Sequence, residues 1–242
     1  MNKMRKNWKV FIFDFDGVLV DSYSCLPSLY NHLARYIRIK NNVKEFIKKA
    51  LEYDDEQDGI GNYNRKSWWP VLFKEFQERK DAVDLDELLR IFHEERIKQT
   101  KIIKGVINVS KWLRKRGATL IILAGNDGQS SMKKRRIEKS GLMEFFEEIF
   151  ILGEDVETRK EGIKSILRKY NVSESQVIFI EDKPGPINEI QMNFKDITTV
   201  KIEFKGTLRL AWEKEKCIPT YRIKTIDELQ RIIDTRHSKK FF

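Results

Sequence analysis

Ten residues near the N-terminus, Val10-Phe11-Ile12-Phe13-Asp14-Phe15-Asp16-Gly17-Val18-Leu19, constrain this chain more than any other stretch. Four apolar residues run straight into an Asp-x-Asp pair and then a glycine. A short continuous apolar run suits a strand buried on both faces. Gly17 suits a sharp departure from that strand. In a segment that stays extended, residues two apart point the same way, so Asp14 and Asp16 are expected to share one small volume at the strand's C-terminal end. Two carboxylates that close repel, and something has to hold them: a metal ion, a shared proton or a cationic neighbour. The same letters also spell a solvated turn, because Asp and Gly are ordinary turn residues.

The chain beyond this strand decides the architecture. Residues 21–100 carry only helical signals: apolar periodicity over 26–40, 43–53, 67–79 and 84–97, with a polar loop at 54–66 containing Gly59 and Gly61. From residue 104 onward, buried strands (118–124, 149–152, 177–180, 198–202) alternate with helices (106–116, 130–139, 159–170, 187–192, 225–233). Such alternation predicts an α/β fold, a doubly wound parallel sheet covered on both faces. The expected division is a Rossmann-like core formed by residues 1–20 and 101–242, interrupted by an all-helical unit at 21–100. A chain of 242 residues is long enough for both. The tail, 235–242, is expected to be loosely held. No segment approaches a membrane span, and the basic residues before Val10 lack the apolar region of a signal peptide, so a cytoplasmic protein is expected. Cys25 and Cys217 read as ordinary thiols, and His32, His93 and His237 show no ligand spacing.

In sheets of this kind ligands bind at the carboxyl ends of the strands. Three strand ends carry polar punctuation: Asp14 and Asp16, Ala124-Gly125-Asn126, and Glu181-Asp182. Four carboxylates converging on one rim call for a cation, and Mg²⁺, a hard ion that takes carboxylates together with phosphate oxygens, suits them. The net charge of +10 favours anionic partners, phosphorylated metabolites ahead of nucleic acid. The run Lys133-Lys134-Arg135-Arg136 reads more readily as a solvated helix face than as a grip on a polyanion. Within the helical unit, the polar stretch from Tyr53 to Trp69 is the best candidate for substrate contact, and Arg65 and Lys66 are candidates to meet a second anionic group of a substrate. Trp68 and Trp69 read as packing anchors rather than as a stacking platform.

Several motifs together resemble one family. They are Phe13-Asp14-Phe15-Asp16-Gly17-Val18-Leu19 continuing to Asp21-Ser22, the segment Ile103-Lys104-Gly105-Val106 through Gly117 and on to Asn126, Lys160 at a helix start, and Ile178-Phe179-Ile180-Glu181-Asp182-Lys183-Pro184. The chain resembles the haloacid dehalogenase-like hydrolase superfamily, in its phosphatase-type, phosphoglycolate phosphatase-like branch with a helical cap inserted after the first strand. The likeness covers nearly everything outside residues 21–100. It implies a Mg²⁺-dependent phosphatase that hydrolyses a small phosphate monoester through an aspartyl-phosphate. Asp14 would be the nucleophile and Asp16 the acid and base. Asp14, Asp16 (through its backbone carbonyl), Asp182 and Glu181 would hold the metal, Gly125 and Asn126 the phosphate, and Lys160 would neutralise its charge, with Arg159 and Lys164 as rivals. Asp16 argues against dehalogenase chemistry, while a phosphomutase stays open.

The chain departs from that family in two places. The second strand normally ends in Thr or Ser, and here that place falls on Ala124, or on Gly125 if the register slips. Asn126, Ser130 or Ser131 could compensate. After Asp182, where relatives carry another acid or an Asn, stands Pro186. The first departure keeps an alternative alive: a catalytically weakened relative that binds a phosphorylated ligand, nucleic acid or protein.

Overall fold

The computed structural model describes residues 8–76, 83–203 and 215–234. The strands in chain order are β1 (Val10–Phe13), β2 (Val20–Asp21), β3 (Lys101–Ile102), β4 (Thr119–Ala124), β5 (Glu148–Ile151), β6 (Val177–Glu181), β7 (Thr198–Ile202) and β8 (Tyr221–Ile223). Six of them form one sheet in the order β5-β4-β1-β6-β7-β8, with every neighbouring pair parallel. The central run behaves as a doubly buried strand should. Phe11 and Phe13 join one apolar cluster, with Leu120, Ile122 and Ile180, while Val10 and Ile12 join another on the opposite face, with Ile121, Leu123 and Phe179. All four β1 side chains are buried, which explains a continuous apolar run rather than an alternating one.

The covering helices are α5 (Val106–Lys115), α6 (Met132–Ser140), α7 (Arg159–Lys169), α8 (Pro184–Asn193) and α9 (Glu228–Asp234). Four more, α1 (Leu26–Tyr36), α2 (Val43–Gly59), α3 (Trp69–Phe76) and α4 (Leu85–Gln99), lie between β2 and β3. These four have an apolar cluster of their own around Tyr30, Phe46, Trp69, Phe73 and Phe92. Trp68 and Trp69 are buried there as anchors. A two-residue antiparallel ribbon, β2 with β3, carries the chain out to them and back. The expected helix to residue 79, the tail 235–242 and His237 lie partly or wholly outside the described residues. Among the described residues, no helix is long and apolar enough to cross a membrane.

The one substantial correction to the helices concerns residues 54–59. The sequence reads as a polar loop there, but α2 continues to Gly59. Its carboxylates find partners elsewhere in the chain: Asp54 with the buried Arg65 at 2.6 Å, and Asp58 with Lys183 at 2.6 Å. These pairings offset the negative charge of a stretch that is poor in helix formers, and helix periodicity cannot reveal them. That extension brings one face of α2 over the ends of β1, β4 and β6.

Candidate active site

Because β1 lies between β4 and β6, the residues at the ends of these three strands meet at one edge. Asp14 comes directly off β1, and its N–H donates to the Ile180 carbonyl at 3.0 Å. Its carboxylate joins those of Glu181 and Asp182, with one oxygen from each lying within 4.8 Å of the others. All three residues are buried. Glu181 Oε1 accepts from the N–H groups of Asp182 and Lys183. Glu181 Oε2 and both Asp182 carboxylate oxygens have no hydrogen-bond partner among the described residues. Burial first, then the neighbouring acids Glu181 and Asp16, push the Asp14 carboxyl well above the usual range, and burial with Glu181 does the same to Asp182. Gly17 lets the loop pass tightly over this group: its φ is +75°, and a Cβ there would stand 2.1 Å from Asp182 Oδ2. Three buried acids with unsatisfied oxygens make a donor set that fits a hard divalent cation.

Asp16 goes elsewhere. The strand ends at Phe13, and Asp16 already belongs to the turn that bridges to Val20, so the two-residue alternation stops before it can align the two carboxylates. Instead of joining the metal-type cluster, the Asp16 carboxylate is gripped by Arg136, with Nη2 to Oδ1 at 2.6 Å, and by Lys133, with Arg96 3.8 Å away. Asp127 shares the same cations, at 3.0 Å from Arg136, 2.9 Å from Lys133 and 3.3 Å from Arg96. Arg136 also donates to Ser22 Oγ at 2.6 Å. Burial alone would raise the Asp16 carboxyl, but Arg136, Lys133 and Arg96 outweigh it and hold the group well below the usual range. Asp127 is held low by the same balance.

Arg96 comes from α4 and the other two cations from α6, so this buried network ties the helical block to the sheet. Sequence reasoning missed it. Lys133 and Arg136 are buried, three apart on one face of α6, whereas Lys134 and Arg135 face outward and pair with Asp155 and Glu94. The run is therefore half solvated face and half internal counter-ion. The spacing of three was the available signal; the acids that receive it are a hundred residues away or in a turn.

The two groups border a cavity of about 460 Å³. Gly125 and Asn126 line it from the end of β4. Asn126 is occupied locally, donating to the Leu152 carbonyl at 3.0 Å and accepting from the Gly128 N–H at 2.8 Å. The cation lining the cavity from α7 is Arg159. Lys160, one position on and so turned about 100° around the helix, is exposed and does not line it, and neither does the exposed Lys164. Arg159 bonds Glu189 at 2.9 Å; burial opposes its charge, but Glu181 and Asp14 outweigh burial and reinforce it. Of the substrate candidates in the helical block, Arg65 borders the cavity but is buried and spent on Asp54. Lys66 is exposed, pairs with Asp86 and does not border it. Tyr63 and Asp58, from the stretch offered for substrate contact but not named individually, border it, as does Lys183.

His93 lies buried behind this network, without a hydrogen-bond partner for either ring nitrogen among the described residues. Burial, then the Arg65 charge, lower its pKa to about 3 despite Asp127, and Arg96 and Arg136 act in the same direction as Arg65. The folded protein thus keeps His93 neutral where the unfolded chain binds a proton. Its effect is absent above about pH 6.5 and destabilises the fold progressively below that, by about 1.4 kcal/mol per pH unit at most. Asp14 and Asp182, whose carboxyls are raised in the fold, add stability as pH falls and oppose this slope in any variant that keeps them. We therefore expect denaturant titrations to show wild type losing roughly 2 kcal/mol relative to His93→Leu between pH 6.5 and 5. A difference between the two proteins that stays constant with pH would show that His93 is not responsible.

The sequence model of the haloacid dehalogenase-like hydrolases matches residues 11–192. Among solved structures, the chain is similar to a Bacillus subtilis protein assigned as a HAD hydrolase, YfnB, whose structure is described as bound to magnesium (20% identity, 94% of this chain and 99% of that one, TM-score 0.69). It is similar also to a Thermotoga maritima protein assigned as a beta-phosphoglucomutase (17% identity, 95% and 100%, TM-score 0.70). A third is a HAD phosphatase from Thermococcus onnurineus (20% identity, 93% and 98%, TM-score 0.60). Comparison with curated protein sequences finds no significant match.

Proposed function

The chain belongs to the haloacid dehalogenase-like hydrolases, and from that premise we propose that it is a Mg²⁺-dependent phosphatase for a small phosphorylated metabolite, with Asp14 as the nucleophile and helices α1–α4 as a cap over the site. The observation that carries this reading is the buried cluster of Asp14, Glu181 and Asp182, with oxygens that have no partner among the described residues, at a cavity that Asp14, Glu181 and Arg159 line together. The magnesium named for YfnB and the phosphatase named for the Thermococcus protein agree with it.

Asp14, Glu181 and Asp182 would hold the cation. A bound Mg²⁺ would screen the carboxylate from the phosphate and polarise the phosphoryl oxygens. An Asp14 oxygen attacks phosphorus as the ester P–O bond breaks, giving an aspartyl-phosphate and an alcohol. Asp16 is held as a carboxylate in the free protein by Arg136, Lys133 and Arg96. A bound phosphate adds negative charge beside it and favours the protonated form, from which it gives a proton to the leaving alcohol before taking one back from the water that hydrolyses the intermediate. Arg159, rather than Lys160, offsets the phosphate's charge, and the N–H groups at Gly125 and Asn126 receive its oxygens.

A panel of phosphate monoesters, including an aryl phosphate, tests the reading. We expect phosphate release that requires Mg²⁺ and is abolished by a chelator. Release no greater than from an Asp14→Asn protein would sink the enzyme reading. It would favour the weakened, ligand-binding relative that the lack of a hydroxyl at Ala124 and Gly125 suggests.

A further inference from the structure

The end of β4 offers no side-chain donor to a phosphate: Ala124 is buried in the strand, and Gly125 has no side chain. The direction a Gly125 side chain would take is nevertheless informative. A Cβ built there meets nothing nearer than Tyr63, whose Oη is 3.9 Å away. Tyr63 belongs to the segment between α2 and α3 and lines the same cavity as Asp14, Gly125 and Arg159. Its hydroxyl makes no hydrogen bond among the described residues. The residue is pinned from behind: a Cβ at Gly128 (φ +77°) would stand 1.9 Å from the Tyr63 carbonyl oxygen, so only glycine admits this segment against the turn after β4.

Resting on the phosphatase reading, we propose that the Tyr63 hydroxyl is the donor that completes the phosphate site, reaching from the helical block into the space left by Gly125. The phosphate then lies between backbone N–H groups on the sheet side and a phenol on the other. Burial pushes the Tyr63 hydroxyl up to about 12, with Asp58 and Asp14 reinforcing that and Lys183 opposing it, so it stays protonated and able to donate at neutral pH. Because the donor comes from across the cavity, the phosphate site is whole only while the helical block sits on the sheet.

The test is the binding of inorganic phosphate to the Mg²⁺-loaded protein by calorimetry, together with KM and kcat for the best ester of the panel. Tyr63→Phe should weaken phosphate and raise KM by about tenfold or more, the usual loss for one hydrogen bond to a charged group, with the melting temperature unchanged. Adding Gly125→Ser to Tyr63→Phe should restore much of that loss, since nothing crowds a Cβ at residue 125. Phosphate affinity of Tyr63→Phe within about twofold of wild type would overturn the role of Tyr63 and leave the phosphatase reading standing. So would a loss that the added serine fails to recover, or one matched by a fall in melting temperature. A wild-type protein that neither binds phosphate nor releases it from any ester of the panel would overturn the phosphatase reading and the role of Tyr63 with it.

Discussion

Asp14→Asn is expected to cost at least about a thousandfold in phosphate release while making the metal-free protein more stable. The two effects have one cause. Asp14 is buried within 4.8 Å of Glu181 and Asp182, and its carboxyl is pushed up by burial and by its acidic neighbours. An isosteric amide keeps the shape and removes one of three mutually repelling groups, a gain on the order of 1 kcal/mol. The same change removes the nucleophile, and backbone donors cannot substitute for that. Mg²⁺ should raise the melting temperature of the wild type by linkage and that of the variant much less. An aspartate with a merely structural role would lose stability on substitution, so activity and melting temperature move apart only if this assignment holds. A variant that retains activity would end the aspartyl-phosphate mechanism.

The legible parts of this molecule are those whose signal is local. Val10–Phe13, Thr119–Ala124 and Val177–Glu181 are buried on both faces and so appear as unbroken apolar runs. Their polar ends could be read as one rim because parallel sheets present all strand ends on one edge. What stayed hidden depends on partners far away in the chain. The edge strand Tyr221–Ile223 is short and half exposed, with too few residues to show a period. The ribbon of Val20–Asp21 with Lys101–Ile102 pairs residues about eighty positions apart, which two-residue strands cannot announce. The end of α2 carries Asp58, whose partner Lys183 lies far along the chain. Near the reacting atoms the difference is one of single residues. Arg159 and Lys160 are equivalent as letters, and only the rotation of α7 decides which one enters the cavity. Asp14 and Asp16 looked like a pair by spacing, yet a turn between them delivers one to the acids and the other to the cations.

That second destination carries the largest stability effect we expect. Replacing Arg136 by Met should destabilise the fold by about 3–5 kcal/mol, because the side chain is fully buried and satisfies Asp16, Asp127 and Ser22 together. Methionine fills most of the volume but offers no donor, and Lys133 and Arg96 are then left to hold two buried carboxylates that three cations held before. The neighbouring Arg135→Met is the control. Arg135 is half exposed and pairs only with Glu94 at 2.7 Å, and an exposed pair contributes about 0–1 kcal/mol. Arg136→Lys separates charge from geometry: it keeps the cation but loses the fork that reaches both acids and the serine, so it should recover only part of the loss. Urea unfolding of the three variants measures these differences directly. If the substitutions at 135 and 136 cost the same, the buried network is not what joins the helical block to the sheet. If only 136 is costly, one residue of an apparently solvated basic run holds Asp16 in orientation and α4 against the core.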